Sequence, residues 1–162
     1  MNQIKYVTLV IVSFFSMQLF LSSASAAVRI SKLQDYAFGS ITPDGSNQDL
    51  TQGVCIYRSG GPSSVRTYYI TVSGTIPGGG LYVTNGTYNL PYRVSWSDRT
   101  SGGTFAVLRH NIKSSRFNNA SRDSDCYGST NARLRIRFTG GSLLNAESGS
   151  YHGVLKVILS DV

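Results

Sequence analysis

Alternation of apolar and polar residues with a period of two is the feature that most constrains this chain. In ARLRIRF, Leu134, Ile136 and Phe138 fall on one face, and three arginines fall on the other. NLPYRVSWS and RTYYITVS repeat the pattern, and GVCIY and VLKVILS are further apolar runs of strand length. A period of two places alternate side chains on opposite faces of a strand, and helical spacing is nearly absent after residue 26. The sequence therefore predicts an all-β chain.

Glycine-rich and polar stretches separate the predicted strands, among them PDGSN, SGGPSS, SDRTSGG and TGGS. Short segments of this composition form the tight turns that join antiparallel strands. The predicted fold is therefore an antiparallel β-sandwich. Residues 111–130 are polar and too numerous for a turn, so we expect a surface loop that is pinned near one end by Cys126.

The first 26 residues have the pattern of a secretory signal peptide. One lysine precedes an apolar run, Tyr6 to Leu21, and Ala24-Ser25-Ala26 offers small residues where a signal peptidase reads them. A membrane anchor is the alternative, but the run is short for a span of about 20 residues. We expect cleavage after Ala26, a secreted chain that is not an integral membrane protein, and one domain over residues 27–162.

Two cysteines, Cys55 and Cys126, remain in the predicted mature chain. An even pair in an oxidising compartment predicts a disulfide. A metal site would need more ligands, and neither His110 nor His152 stands at ligand spacing from a cysteine. We expect neither a metal nor another cofactor.

Residues that would support catalysis are few. Asp123 and Asp125 are the only closely spaced carboxylates, as a glycosidase would require, and both lie in the predicted loop. No serine stands in the G-x-S-x-G turn of a hydrolase. A small secreted hydrolase remains the weakest alternative, and the chain is expected not to be an enzyme.

The sharpest charge feature is the arginine row, Arg133, Arg135 and Arg137, on one face of a single predicted strand. Removing Lys5 with the signal leaves 14 basic against 8 acidic residues, a net charge of +6. The row would suit an anionic polymer such as acidic polysaccharide. It would equally suit a solvated outer face that discourages aggregation between sheets. Nucleic acid is not expected, because no recognisable binding module accompanies the charge.

Four stretches in sequence order resemble the spore coat protein U-like family, which includes subunits of archaic chaperone–usher pili. They are DYAFGSI; LTQGVCIY with YYITVSG; NLPYRVSWSD; and the closing AESGSYHGVLKVILS. The resemblance spans nearly all of residues 33–160. The sequence departs from the family pattern at Gly153, where an aspartate is expected, and in having no earlier cysteine.

The resemblance implies an immunoglobulin-like sandwich that lacks its last strand, an incomplete pilin-type fold. It implies a strand-acceptor groove beside the final strand, with Leu155, Val157 and Leu159 along it. A periplasmic chaperone would fill the groove first, and a strand from another pilus subunit would replace it at the usher. We expect the final strand to be paired on this edge by a segment of another protein rather than by a later segment of its own chain. The implied location is the periplasm and then the cell surface, in a fimbrium or coat.

A second function remains open beside the fimbrial or coat-type subunit. The chain would then be a stand-alone secreted module that binds carbohydrate or a polyanion. Tyr82, Tyr88 and the arginine row would supply its binding surface. Isolation of a stable monomer without a partner would favour this alternative.

Overall fold

The computed structural model describes residues 27–75 and 79–161. The predicted signal peptide lies outside the described residues. Within these ranges there are nine strands and one short helix: β1 Ala27–Ser31, β2 Gln48–Ser59, β3 Tyr69–Gly74, β4 Tyr82–Thr84, β5 Asn89–Pro91, β6 Arg93–Ser97, β7 Ala106–Leu108, β8 Ala132–Phe138, α1 Gly140–Leu144 and β9 Leu155–Ser160.

The strands form two layers, as the alternation predicts. A five-stranded antiparallel sheet has the order β1-β2-β8-β6-β7. The second layer consists of the β3-β9 pair and the β4-β5 hairpin. Backbone hydrogen bonds between Thr84 and His152 join the hairpin to the segment that leads into β9. The fold is the predicted all-β antiparallel sandwich of immunoglobulin-like type.

The core lies between the two layers. The predicted inward faces are buried: Leu134, Ile136 and Phe138 on β8, and Leu90, Tyr92, Val94 and Trp96 along β5 and β6. The Trp96 indole N–H donates to the Tyr68 hydroxyl, 3.2 Å away, and so ties β6 to the residue before β3. Burial raises the pKa of Tyr68. NLPYRVSWS is not one strand, because its first residues pair with β4 in the second layer and residues 93–97 pair with β8 in the large sheet.

The disulfide joins Cys55 of β2 to Cys126, with Cα atoms 5.8 Å apart. It fastens the last part of the polar stretch 111–130 onto the outer face of the large sheet. The first part is not the expected surface loop, because it runs along β3 and buries Phe117 and Ala120 in the core. The loop in turn holds β1, because the Ser31 hydroxyl donates to the Ser124 carbonyl and Lys32 forms an ion pair with Asp125 at 2.9 Å. Residue 126 thus anchors both the loop and the first strand.

Arg58 closes the core at the end of β9. Its side chain is only 8% exposed, and its guanidinium pairs with Asp161 at 3.1 Å and donates to the Thr67 carbonyl. Cutting off the Asp161 carboxylate leaves a buried cation short of a partner, which costs about 1.5–3 kcal/mol. We expect Asp161→Ala to lower the free energy of unfolding by that amount in urea denaturation.

The matched control for Asp161→Ala is Asp125→Ala, which removes an exposed ion pair. Exposed pairs contribute only about 0–1 kcal/mol, since water screens them. Equal losses in the two variants would show that Arg58 does not depend on Asp161.

Candidate strand-binding groove

One edge of β9 has no strand hydrogen-bonded to it among the described residues. On the other edge, Tyr69, Thr71 and Ser73 of β3 pair with Ser160, Ile158 and Lys156. The carbonyls of Ile70 and Val72 accept from Ser114 and Asn111 on the far side of β3. Backbone groups of successive residues point to opposite edges of a strand.

It follows that the backbone groups of Leu155, Val157 and Leu159 point away from β3. None of the hydrogen bonds described outside the strand ladders involves these three residues. Their side chains are half-buried and pack against the core, whereas Lys156 and Ile158 are exposed. The open edge therefore combines free backbone groups with an apolar inner face.

An apolar depression of about 980 Å³ lies beside this open edge. We call it the edge groove. Residues 33–41 and Pro43 form one wall, and residues 146–155 and Val157 form the other. The floor consists of buried core residues: Leu90, Tyr92, Leu134, Ile136, Phe138 and Leu143.

Two of the three residues predicted to line a groove, Leu155 and Val157, line the edge groove. Leu159 packs against the core but is not part of the lining. β1 runs close to β9, and its Val28 pairs with Arg58, which contacts Asp161 just after β9. The edge groove is therefore closed at the Leu159 end and open towards Leu155.

The wall formed by residues 33–41 has no regular secondary structure, and the alternation pattern did not reveal it as a wall. Side chains fix it in place. The Tyr36 hydroxyl donates to the Leu134 carbonyl at 2.7 Å, and the Gln52 amide donates to the Asp35 carbonyl at 2.9 Å. Phe38 packs edge-on against Phe138, with ring centroids 4.9 Å apart. Burial raises the pKa of Tyr36.

Gly153 lies where hairpin β4-β5 crosses the groove wall. A Cβ at this position would stand 3.0 Å from the Tyr82 carbonyl oxygen and 3.3 Å from the Val83 Cα atom. Hairpin β4-β5 crosses the wall so closely here that a side chain at residue 153 would require the hairpin to shift slightly.

The arginine row lies on β8, on the outer face of the large sheet. Its three side chains contact other residues of the same chain. Arg137 forms an ion pair with Asp49, and this hydrogen bond lowers the pKa of the Asp49 carboxyl. Arg133 donates to the carbonyls of Arg99 and Gly102. Arg135 stacks on the Phe105 ring, 4.0 Å from its centroid.

The remaining candidate residues have local structural contacts. The Asp123 carboxylate accepts from the backbone N–H groups of Asp125 and Tyr127. The His110 ring accepts from the backbone of Gly80. Within the described ranges, no three His, Cys, Asp or Glu residues cluster as metal ligands. No helix among the described residues is long and apolar enough to span a membrane.

The fold and the edge groove define an antiparallel sandwich with one strand edge left open. No family model and no curated protein matches the chain. A solved structure is similar, described as "Chaperone-tip adhesin complex is vital for synergistic activation of CFA/I fimbriae biogenesis". The TM-score is 0.57 at 17% identity, over 83% of this chain and 41% of that chain.

At 17% identity this similarity concerns the fold, and the chain spans less than half the length of the chain it matches. Membership of the spore coat protein U-like family stays a prediction, because its support is the short motifs quoted above.

Proposed function

We propose that this protein is a non-catalytic structural or adhesive subunit of a fimbrial or coat-type surface assembly. A strand from a periplasmic chaperone, and later from a neighbouring subunit, completes its edge groove. The observation that carries the proposal is the open edge of β9 beside an apolar groove. The similarity in fold to a chain of a solved chaperone–tip adhesin complex supports it.

The physical argument for strand addition is that an empty edge groove is costly. Each large apolar side chain left in water forfeits roughly 1.5–3 kcal/mol, against a typical net stability of about 5–15 kcal/mol. An added strand would cover the groove floor and pair with the backbone groups of Leu155 and Val157. An uncovered edge of this kind also invites aggregation.

Expression of the secreted chain with and without a candidate chaperone tests the proposal. We expect a soluble one-to-one complex with the chaperone, and aggregation or degradation without it. Amide hydrogen exchange should show protection of residues 155–159 in the complex. A stable monomer whose edge groove binds no strand would contradict the proposal.

A second candidate function is contact with an acidic polysaccharide through the outer face of the large sheet. Arg93 is exposed on β6, and Arg135 has no carboxylate partner among the described residues. Exposed Val107 and the ring of Phe105 lie on the same face. Tyr88 is exposed at the β4-β5 turn, but half-buried Tyr82 packs against Gly80 and forms no free platform.

Substitution of Arg93 and Arg135 together tests the polysaccharide contact. We expect Arg93→Ser with Arg135→Ser to release the protein from an alginate column at lower salt than the wild type, because two cations are lost from one surface. The control is Arg66→Ser with Arg116→Ser, which removes the same charge from exposed positions next to β3 in the second layer. Equal salt shifts in both double variants would mean that only net charge matters.

A further inference from the structure

The edge groove differs in charge from the rest of the molecule. All 14 lysines and arginines after residue 26 lie in the described residues, and none of them lines the groove. Two carboxylates do, Asp35 on one wall and Glu147 on the other. A chain with a net charge of +6 after its predicted signal thus presents a groove whose only formal charges are negative.

Most carboxylate side chains of this protein form an ion pair or accept a hydrogen bond within the described residues. Asp49, Asp125 and Asp161 form ion pairs, and the side chains of Asp44 and Asp123 accept hydrogen bonds from nearby residues. Among the described residues, the carboxylates with neither kind of partner are those of Asp35, Asp98 and Glu147. Two of these three line the edge groove.

At each of these two residues a hydrogen bond to the backbone carbonyl fixes the main chain, and the carboxylate takes no part in it. The Asp35 carbonyl accepts from the Gln52 amide, and the Glu147 carbonyl accepts from the Tyr151 hydroxyl at 2.8 Å. Both residues are exposed, so their charge lies in solvent at the groove walls rather than on its buried apolar floor.

We propose that the edge groove selects an incoming strand in which apolar residues alternate with lysine or arginine. The inference rests on the proposed function and names the chemistry of the partner segment. In an extended strand, alternate side chains would point to the floor of the groove and the intervening ones to its mouth. Cations at the intervening positions would pair with Asp35 on one wall and Glu147 on the other.

The expected gain is modest because both carboxylates are exposed. An exposed ion pair changes affinity by roughly two- to five-fold, so two pairs favour a basic strand by roughly 4- to 25-fold. The preference must also fall with salt, since the Debye length shrinks to about 3 Å at 1 M. Acidic strands would meet two like charges and bind more weakly than neutral ones.

The test is competition between peptides on the full mature chain. The chain is refolded with a fluorescent 12-residue peptide that alternates valine with serine. Unlabelled peptides with the same valines and with lysine, serine or glutamate between them then displace it. We expect displacement by the lysine peptide at the lowest concentration and by the glutamate peptide at the highest.

The double variant Asp35→Asn with Glu147→Gln should bind the serine peptide as the wild type does and lose the preference for lysine. The control, Asp44→Asn with Asp98→Asn, removes the same charge outside the groove and should keep the preference. Equal binding of all three peptides to the wild type, or a preference that survives in the groove variant, would overturn the inference while leaving strand addition intact. Failure of the serine peptide to form any complex would instead count against the proposed function.

Discussion

Val157→Asp is expected to abolish strand binding at the edge groove. The Val157 side chain faces the core and lines the groove, while its backbone groups face the open edge. Losing the burial of this side chain under an added strand costs roughly 1.5–3 kcal/mol, or about ten- to a hundred-fold in affinity. A carboxylate at the same place would also be covered without a partner, which raises the cost further.

The matched control is the next residue in the same strand. Ile158 is 43% exposed, and its side chain lies on the opposite face of β9. Ile158→Asp introduces the same charge one position away, and we expect it to retain the chaperone complex. Measurement is by co-purification of chaperone and subunit, with the dissociation constant from titration. Loss of the complex in both variants would show that β9 tolerates a new charge on neither face. Retention of the complex in both would show that the edge groove does not bind the chaperone strand.

The two faces of β3, β6 and β8 were accessible from the sequence because these stretches display a period of two. In β2 and β9 the apolar residues are consecutive, as in Val157-Ile158-Leu159, so the inward residues of β9 were predicted through the family resemblance instead. Strands β4, β5 and β7 contain three residues each, too few for a period to be recognised. The β4-β5 hairpin is fixed by tertiary contacts, such as the hydrogen bonds between Thr84 and His152.

Helix α1 was not expected, since the sequence reads TGGSLLN and glycine disfavours a helix. A cap and tertiary contacts compensate. The Thr139 hydroxyl accepts from the Ser142 N–H, and the Gly140 N–H donates to the Asn47 side chain. At Gly140 a Cβ would overlap the Gly45 carbonyl, so the close approach of two chain segments requires glycine there.

The alternation pattern could not predict the groove wall at residues 33–41, for a different reason. Residues 33–41 adopt an irregular path that depends on Gln52, Leu134 and Phe138, which are distant in sequence. The motif DYAFGSI marked this stretch through the family resemblance, but not as a wall. The partners of the arginine row were hidden in the same way, because Asp49 is 88 residues from Arg137.

Removing the disulfide is expected to have the largest effect on stability. Cys55 and Cys126 are 71 residues apart, and closing a loop of that length restricts the unfolded chain by about 4 kcal/mol in the entropic model. We expect Cys55→Ala with Cys126→Ala to lower the free energy of unfolding by about 2–5 kcal/mol. Urea denaturation of the protein bound to a peptide strand measures it.

Removal of the disulfide should also loosen the wall of the edge groove, because β1 connects the two. Ser31 pairs with Cys55, and its hydroxyl donates to Ser124 in the loop that the disulfide fastens. β1 continues directly into the wall at residues 33–41, so a loosened loop should raise hydrogen exchange in β1 and in that wall. The control Ser31→Ala deletes one hydrogen bond and retains the disulfide, and should cost only about 0.5–1.5 kcal/mol. The crosslink does not hold the groove wall if the cysteine variant shows no more hydrogen exchange in residues 33–41 than this control does. The hydrogen bonds of Tyr36 and Gln52 would then be enough to hold the wall.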